Sequence, residues 1–244
     1  EIGRKLKKQA FVLIAIVSII VYLLAVAYRG NAPYLADLSS HSFDLNLTWQ
    51  LLPLAIVAGI LGGLFSKITL YLIAKFITNT KTKVISVALL LGGIVATFNY
   101  LSAGQIAGSG HMEVVQILNN QALGANFVVM KYFATLSSFV STIPGGVFMP
   151  SISIGAGLGL EAGSFYTQIN MQVVVIMTMI GYLTAVVRAP LTSTFVILEM
   201  TLSLHLLAPG LLIAFIANFI SKQIHQQPIY EALADNYLTL SKTV

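Results

Sequence analysis

Long apolar runs without a charged side chain dominate this chain. Each is about 20 residues or longer, the length that an α-helix needs to cross the hydrocarbon core of a bilayer. Several could hold a helix and a re-entrant segment, so we expect at least six membrane-crossing helices. The runs lie at residues 9–28, 45–66, 84–112, 132–160, 162–187 and 200–221.

Composition points to the same class of protein. Hydrophobic residues make up 57% of the 244 residues and charged residues 9%, and the mean hydropathy is +0.88. A soluble domain carries roughly 25% charged residues. The sequence therefore predicts an all-α integral membrane protein. It contains no cysteine, which excludes disulfides and thiolate chemistry.

The net charge of +5 does not indicate nucleic-acid binding. The basic residues cluster beside predicted membrane helices, whereas the loop at residues 29–44 also carries acidic residues. By the positive-inside rule, the N-terminus and the 75–83 turn are cytoplasmic and the 29–44 loop is outside. The basic clusters are Arg4, Lys5, Lys7 and Lys8, followed by Lys75, Lys81 and Lys83.

Small residues recur in two of the predicted membrane spans. Small side chains let neighbouring helices approach closely in a membrane. We expect this role for Gly92 and Gly93 in the third run, and for a series in the second: Ala58, Gly59, Gly62 and Gly63.

The clearest break in the apolar pattern is the sequence Gly-Gly-Val-Phe-Met-Pro at residues 145–150, and we expect the next helix to cover residues 151–160. Non-helical backbone at membrane depth is tolerated only where protein buries it or where it lines a polar cavity. The first N–H groups of the following helix lack intrahelical partners and lie at the positive end of its dipole. The segment therefore predicts an anion site built without a cationic side chain.

A second broken region covers residues 102–111, which are rich in glycine and serine. The pattern then predicts a short helix at residues 112–120 and a longer helix at residues 127–141, ending at Pro144. Two broken regions within one apolar array are typical of transporter binding sites.

A charged residue and a helix break also separate the last two apolar runs. Arg188 precedes Pro190, which fits the first turn of a helix predicted at residues 192–204, and Glu199 lies within that helix. Ionisable residues at membrane depth are functional candidates by default. The structural alternative is that Arg188 caps the carbonyls of the preceding helix and that Glu199 bonds to backbone or to a neighbouring helix.

Five short motifs succeed one another in the second half of the chain: Gly-Gly-Val-Phe-Met-Pro at 145–150, Gly-Ala at 155–156, Val-Arg-Ala-Pro-Leu-Thr at 187–192, Leu-Glu-Met-Thr at 198–201 and Gln-Pro-Ile-Tyr at 227–230. They resemble the second half of CLC chloride channels and proton/chloride antiporters. The resemblance implies an inverted-repeat fold with tilted, broken and re-entrant helices. Residues 1–48 would form a first membrane helix and outer loop, and residues 49–244 the second repeat with a C-terminal helix and no cytoplasmic regulatory domain.

The resemblance also implies the anion site. Chloride is the transported ion, no cofactor is needed, and the ion is held by the N–H groups of Val147 and Phe148 and by the Tyr230 hydroxyl. A serine and a gating glutamate would come from a first half absent from this chain. Ser109 mimics that serine, but its place in the order is wrong, so we give it no anion role. The supporting breaks are Gly145, Gly146, Pro150, Arg188, Pro190 and Glu199.

The implied partners are chloride, the lipid bilayer, the first half of the same protein and a second subunit. The chain reads as a piece of something longer, and a homodimer interface is expected near residues 192–204 and 206–221. We expect a bacterial inner membrane. A glutamate in the family separates antiporters from channels, and Glu1 could be either that residue or its neighbour, which leaves proton coupling open.

Two other functions remain as alternatives. An unrelated secondary transporter could use the same broken helices for another small anion. An intramembrane enzyme would need a convergent ligand or acid/base set, but His111 and Glu113 are two residues apart and so lie on different helix faces. The other histidines, His41, His205 and His225, are isolated in the sequence, so we predict no catalytic residue and no metal site.

Overall fold

The structure is a computed structural model that describes residues 8–30, 33–40, 43–76, 81–124, 126–141 and 145–233. These residues form helices and connecting loops, without a strand among them. The predictions for Glu1, for Arg4, Lys5 and Lys7, for His41, for Pro144 and for the tail beyond residue 233 lie outside the described residues. The predictions that depend on the side chains of Lys8, Lys81 and Lys83 also lie outside them.

The α-helices are α1 (Lys8–Arg29), α2 (Leu52–Phe76), α3 (Lys81–Leu101), α4 (His111–Leu118), α5 (Phe127–Val140), α6 (Phe148–Gly163), α7 (Met171–Val187), α8 (Pro190–Met200) and α9 (Leu207–Ile224), with 3₁₀ turns at Leu45–Leu51 and Leu204–Leu206.

The apolar runs do not correspond one to one with full-length membrane spans. Two described segments, Leu45–Phe76 and Leu204–Ile224, are long and apolar enough to cross a membrane. The run at 132–160 is divided between α5 and α6, and the run at 162–187 contains the loop that precedes α7. Helices α1 and α3 have 22 and 21 residues, whereas backbone breaks leave α5, α6, α7 and α8 with 14, 16, 17 and 11 residues. Not every apolar run therefore forms one full-length crossing helix among the described residues.

Helices α2, α7 and α9 form the centre of the fold. A Cβ atom on Gly59 would lie 2.9 Å from the Ile220 Cβ of α9, and one on Gly62 would lie 2.6 Å from the Ala185 Cβ of α7. Further along, Gly63 meets Ile224, so the residue numbers rise together and α2 runs in the same direction as α9. The predicted close approach along α2 is confirmed.

The glycines of α3 behave differently from those of α2. A Cβ atom on Gly92 or on Gly93 would meet no described atom within 4 Å. The prediction that they pack against another helix is wrong for the described part of the chain. The reason is that this face of α3 borders open space, and Gly92 lies on the wall of a cavity there.

Helix α7 is buried along its length from Gln172 to Val187, as expected of a helix that is apolar on all faces. Helix α6 packs against it in the opposite direction, because Gly155 meets Met179 whereas Gly159, further along, meets Val175. A Cβ atom on Gly155 would lie 2.7 Å from the Met179 Cα. This contact holds α6, the helix that follows the break at Gly145 and Gly146, against the buried helix α7.

Helix α8 has Pro190 in its first turn, as predicted, but it covers Pro190–Met200 and not residues 192–204. Leu202 adopts a positive φ of 49°, a conformation that stops a right-handed helix. The outer loop closes over this end, since the amides of Leu35 and Leu38 donate to the carbonyls of Met200 and Thr201 at 3.0 Å each. The start of α9 is thereby separated from α8.

Candidate anion-binding site

The helix after the break begins earlier than predicted. Helix α6 starts at Phe148, with Val147 as its N-cap, whereas the sequence pattern suggested residue 151. Pro150 is therefore the third helical residue and not the first. The position suits proline because the early N–H groups of a helix have no intrahelical acceptor in any case.

The start of α6 leaves backbone donors uncapped. The Ser151 amide makes the first helical bond, 3.0 Å to the Val147 carbonyl, so the amides of Val147, Phe148 and Met149 come before the helical ladder. No side-chain cap is found at this end among the described residues. These amides lie at the positive end of the α6 dipole, where an anion is stabilised.

The break opens onto a cavity of about 840 Å³. Gly145, Gly146, Phe148 and Pro150 lie on its wall. Val147 does not; its side chain is 0% exposed and belongs to the hydrophobic core. Four of the predicted site residues are thus brought together, and the buried Val147 side chain anchors the backbone between them.

Three other elements complete the wall. Helix α3 contributes Asn99, α5 contributes Thr135 and Ser138, and the loop before α4 contributes residues 106–109. Ser109, which the sequence analysis set aside, lies in this loop and is exposed. The cavity therefore has a mixed lining of small, apolar and neutral polar groups, with one exception.

The exception is Lys131 on α5, which sequence reasoning missed. Its side chain is 1% exposed, and its Nζ donates to the carbonyl oxygens of Ile106 at 2.9 Å and Gly108 at 3.0 Å. A single charge inside the apolar segment 127–140 was the available signal, because ionisable residues at membrane depth are rare and costly.

Tyr230 is not among the residues that line the cavity. It is half-buried, beside the fully buried Ile229, on the segment that follows α9. Tyr230 packs against the hydrophobic core, and its predicted role in holding the anion stays a prediction.

Arg188 joins two helices at the far end of the fold from the outer loop. Its backbone adopts φ of 62° and its amide donates to the Thr184 carbonyl, which ends α7. The predicted cap of α7 is thus made by the Arg188 amide, whereas its guanidinium donates to the Ser221 carbonyl at 3.1 Å and to the His225 carbonyl at the end of α9. Arg188 is a helix cap for α9, outside the cavity.

The surroundings of His225, at the end of α9, and of Asp37, in the outer loop, shift the pKa values of these two groups. Partial burial lowers the pKa of His225, and the positive charges of Arg188 and Lys67 lower it further. In the outer loop, hydrogen bonds from the Ser39 hydroxyl and amide lower the pKa of Asp37. Glu199 is exposed on α8 and not packed against a neighbouring helix, because its face of α8 points away from α7 and α9.

His111 and Glu113 do not form a reactive pair. The His111 Nε2 lies 3.2 Å from the Tyr34 carbonyl oxygen, and its ring packs edge-on to the Tyr34 ring at 4.7 Å. Within the described ranges, no group of three or more potential metal-ligating side chains is found. His111 joins the outer loop to α4.

Comparison with known proteins agrees with this architecture. A family model described as "Voltage gated chloride channel" matches residues 1–222. The H(+)/Cl(-) exchange transporter ClcA of Vibrio cholerae serotype O1 (strain M66-2) is 27% identical over 208 residues, which cover 78% of this chain and 44% of the relative. ClcA of Yersinia pestis bv. Antiqua (strain Angola) is 28% identical over 200 residues, 78% of this chain and 42% of the relative. The chain spans less than half the length of these relatives.

Solved structures show the same fold. A slow cyanobacterial Cl⁻/H⁺ antiporter superposes with a TM-score of 0.72 at 24% identity, over 84% of this chain and 50% of the other. A CLC-type fluoride/proton antiporter superposes with a TM-score of 0.69 at 20% identity, over 82% and 49%. The predicted fold, part of a CLC-type fold with broken helices, is confirmed.

Proposed function

Because this chain belongs to the voltage-gated chloride channel family, we propose that it forms one half of a chloride transport pathway in an integral membrane protein. The uncapped start of α6, open to the cavity through Gly145 and Gly146, is the observation that carries the proposal. Transport needs a site that replaces part of the hydration of chloride and still releases the ion. Backbone amides at a helix start provide attraction by partial charges alone.

The proposed ligands are the amides of Val147 and Phe148 and the hydroxyl of Tyr230. Both amides precede the first hydrogen bond of the α6 ladder, which supports their part. The role of Tyr230 rests on the Gln-Pro-Ile-Tyr motif.

The remaining wall of the pathway is proposed to come from a first half of the same protein. The chain matches 44% of a relative's length, and the cavity at the start of α6 is open on one side. Helix α1 supports the same view, because its large apolar side chains from Val12 to Leu24 are 49–65% exposed. In the complete protein, these side chains would contact lipid or the first half.

A second copy of the protein is the proposed partner at α8 and α9. These helices present exposed large apolar side chains on their outer faces, in the segments where a dimer interface was expected. The exposed residues are Leu191, Phe195, Leu204, Leu212, Phe215 and Phe219.

We propose proton-coupled exchange in a bacterial inner membrane as the mode and place of transport. The support is that both curated relatives named above are bacterial H(+)/Cl(-) exchange transporters. A passive channel is the alternative, because the sequence does not identify which of the two family positions Glu1 occupies.

Two experiments on the complete protein test the proposal. Crystals soaked in bromide should show an anomalous peak beside the Val147 and Phe148 amides, and an empty site would overturn the assignment. Liposomes loaded with chloride should show chloride efflux. Simultaneous pH recording separates an exchanger, in which protons enter the liposomes as chloride leaves, from a channel, in which they do not.

Fluoride is the second candidate substrate. A protein that shares this fold is a fluoride/proton antiporter, and amides at a helix start do not by themselves distinguish small halides. Parallel efflux assays with fluoride and chloride decide between them: chloride should move faster, and efflux of fluoride alone would reassign the substrate.

A further inference from the structure

Lys131 is a buried ammonium group on the wall of the cavity. Burying a charge is costly unless the group is paired or fully hydrogen-bonded. No ion pair with Lys131 occurs among the described residues, although Glu113 on α4 acts on it electrostatically. The stabilisation comes instead from two backbone carbonyls, those of Ile106 and Gly108.

Those carbonyls belong to the cavity loop, which we define as residues 106–109, all of which lie on the cavity wall. Backbone carbonyl oxygens that face a pathway attract cations and repel anions, as in cation-selective filters. If Lys131 did not bind them, the carbonyls of Ile106 and Gly108 would need other donors. The cavity wall would then carry two acceptors with negative partial charge.

A second contact holds the cavity loop from its other end. Gly110, directly after it, has φ of 86°, and its α-carbon faces Ser153 of α6 so closely that a Cβ atom would collide with the Ser153 hydroxyl. The same Cβ atom would lie 3.2 Å from the Lys131 Cε. The cavity loop is thus held between α5 and α6, with Lys131 in contact with both ends.

We propose that Lys131 is a specificity-determining residue of the anion pathway: its ammonium group binds the carbonyls of Ile106 and Gly108 and neutralises them, so that the cavity wall favours anions over cations. This inference rests on the proposed function of the cavity. Lys131 acts through the cavity loop and does not itself coordinate the ion, so it adds attraction without trapping chloride in a direct ion pair.

Three variants of the complete protein test the proposal. Lys131→Met removes charge and donors, Lys131→Gln keeps donors without charge, and Lys131→Arg keeps both. We expect Lys131→Met and Lys131→Gln to weaken chloride binding roughly tenfold or more and to let K⁺ leak through proteoliposomes. Lys131→Arg should stay within about threefold of the unaltered protein. Lys67→Met is the matched control, since Lys67 is exposed on α2 and does not line the cavity.

Hydrogen exchange provides a readout that does not depend on transport. Amides of the cavity loop should exchange faster in Lys131→Met and near normally in Lys131→Arg. If the folded Met and Gln variants bind chloride and exclude K⁺ as the unaltered protein does, the proposal is overturned while the proposed function stands. If the unaltered protein neither binds nor moves chloride, the proposed function itself fails. Should Lys131→Met not fold, Lys131→Gln decides by the same criteria.

Discussion

At the scale of single residues, the side chain of Val147 and its backbone serve different purposes. The side chain is buried in the core, whereas the amide lies at the start of α6, before the helical ladder begins. The buried side chain therefore fixes the position of a donor that belongs to the main chain. Every substitution except proline keeps the N–H itself.

Proline at position 147 removes that donor. The φ of Val147 is −86°, close to the value that proline imposes, and the preceding Gly146 tolerates the ring. A hydrogen bond to a charged partner contributes about 1.5–3 kcal/mol, so we expect Val147→Pro to weaken bromide binding by a factor of ten or more, as measured by calorimetry. Val147→Ala, which trims the anchoring side chain and keeps the N–H, is the control and should bind bromide more tightly than Val147→Pro. Equal affinities in the two variants would exclude the amide as a ligand.

Arg188 is the residue for which we predict a change in stability and not in binding. Its guanidinium donates to two carbonyls at the end of α9, and removing it leaves them without a charged donor. We expect Arg188→Met to lower the free energy of unfolding by about 2 kcal/mol, seen as a lower midpoint in thermal melts in detergent. Lys222→Met, in the last turn of the same helix, is the matched loss of charge and should change little. A normal melt for Arg188→Met would show that the cap contributes nothing.

At the scale of helices, the packing of α6 against α7 determines where the uncapped amides lie. Gly155 touches the Met179 backbone, where a Cβ atom would be 2.7 Å from the Cα. Backbone cannot move aside as the end of a flexible side chain can, so Gly155→Ala forces the helices apart. We expect a loss of about 1–3 kcal/mol of stability and weaker anion binding.

Gly93→Ala is the control for that substitution. A Cβ atom there would meet no described atom within 4 Å, and alanine favours helix over glycine by about 1 kcal/mol. The control should melt at or slightly above the temperature of the unaltered protein. If both variants behaved alike, close contact between α6 and α7 would not be the cause.

Helices and breaks could be predicted from local chemistry, but their partners could not. Gly145 and Gly146 predicted the break because glycine and proline affect the backbone conformation at their own positions. The small side chains of the α2 glycines likewise predicted close helix packing. Close packing was also predicted at Gly92 and Gly93, but no described atom approaches them, since a glycine pair does not show whether a surface lies against it. Lys131 was missed as a site residue because its acceptors at 106 and 108 are about 25 residues away in sequence, beyond any helical spacing. The cap of α7 by Arg188 was predicted from the neighbouring sequence, but its contacts with α9, more than 30 residues away, were not.

At the scale of the whole molecule, the outer faces of α8 and α9 determine the proposed assembly. Phe215 and Phe219 lie on one face of α9 and are 52% and 60% exposed. Aromatic side chains are frequent hot spots of interfaces, where truncation costs about 2 kcal/mol or more. We expect the double variant Phe215→Ala, Phe219→Ala to shift the complete protein from dimer to monomer in single-molecule photobleaching. Tyr71→Ala removes an equally exposed aromatic ring from α2 and should leave the dimer intact; a dimer that survives both changes would place the interface elsewhere.

The open side of the cavity determines what this chain can do by itself. Its relatives are more than twice as long as the aligned region, and the described residues do not enclose the cavity beside the start of α6. Selectivity requires that bulk water or lipid be replaced by fixed donors. We therefore expect proteoliposomes with residues 1–244 alone to show no chloride-selective flux, and co-expression with the first half of the protein to restore it. The comparison uses equal amounts of folded protein, with Val147→Pro in the restored complex as the control for passage through the α6 site. Selective flux from residues 1–244 alone would mean that the chain closes its own pathway, most simply by pairing with a second copy across the cavity.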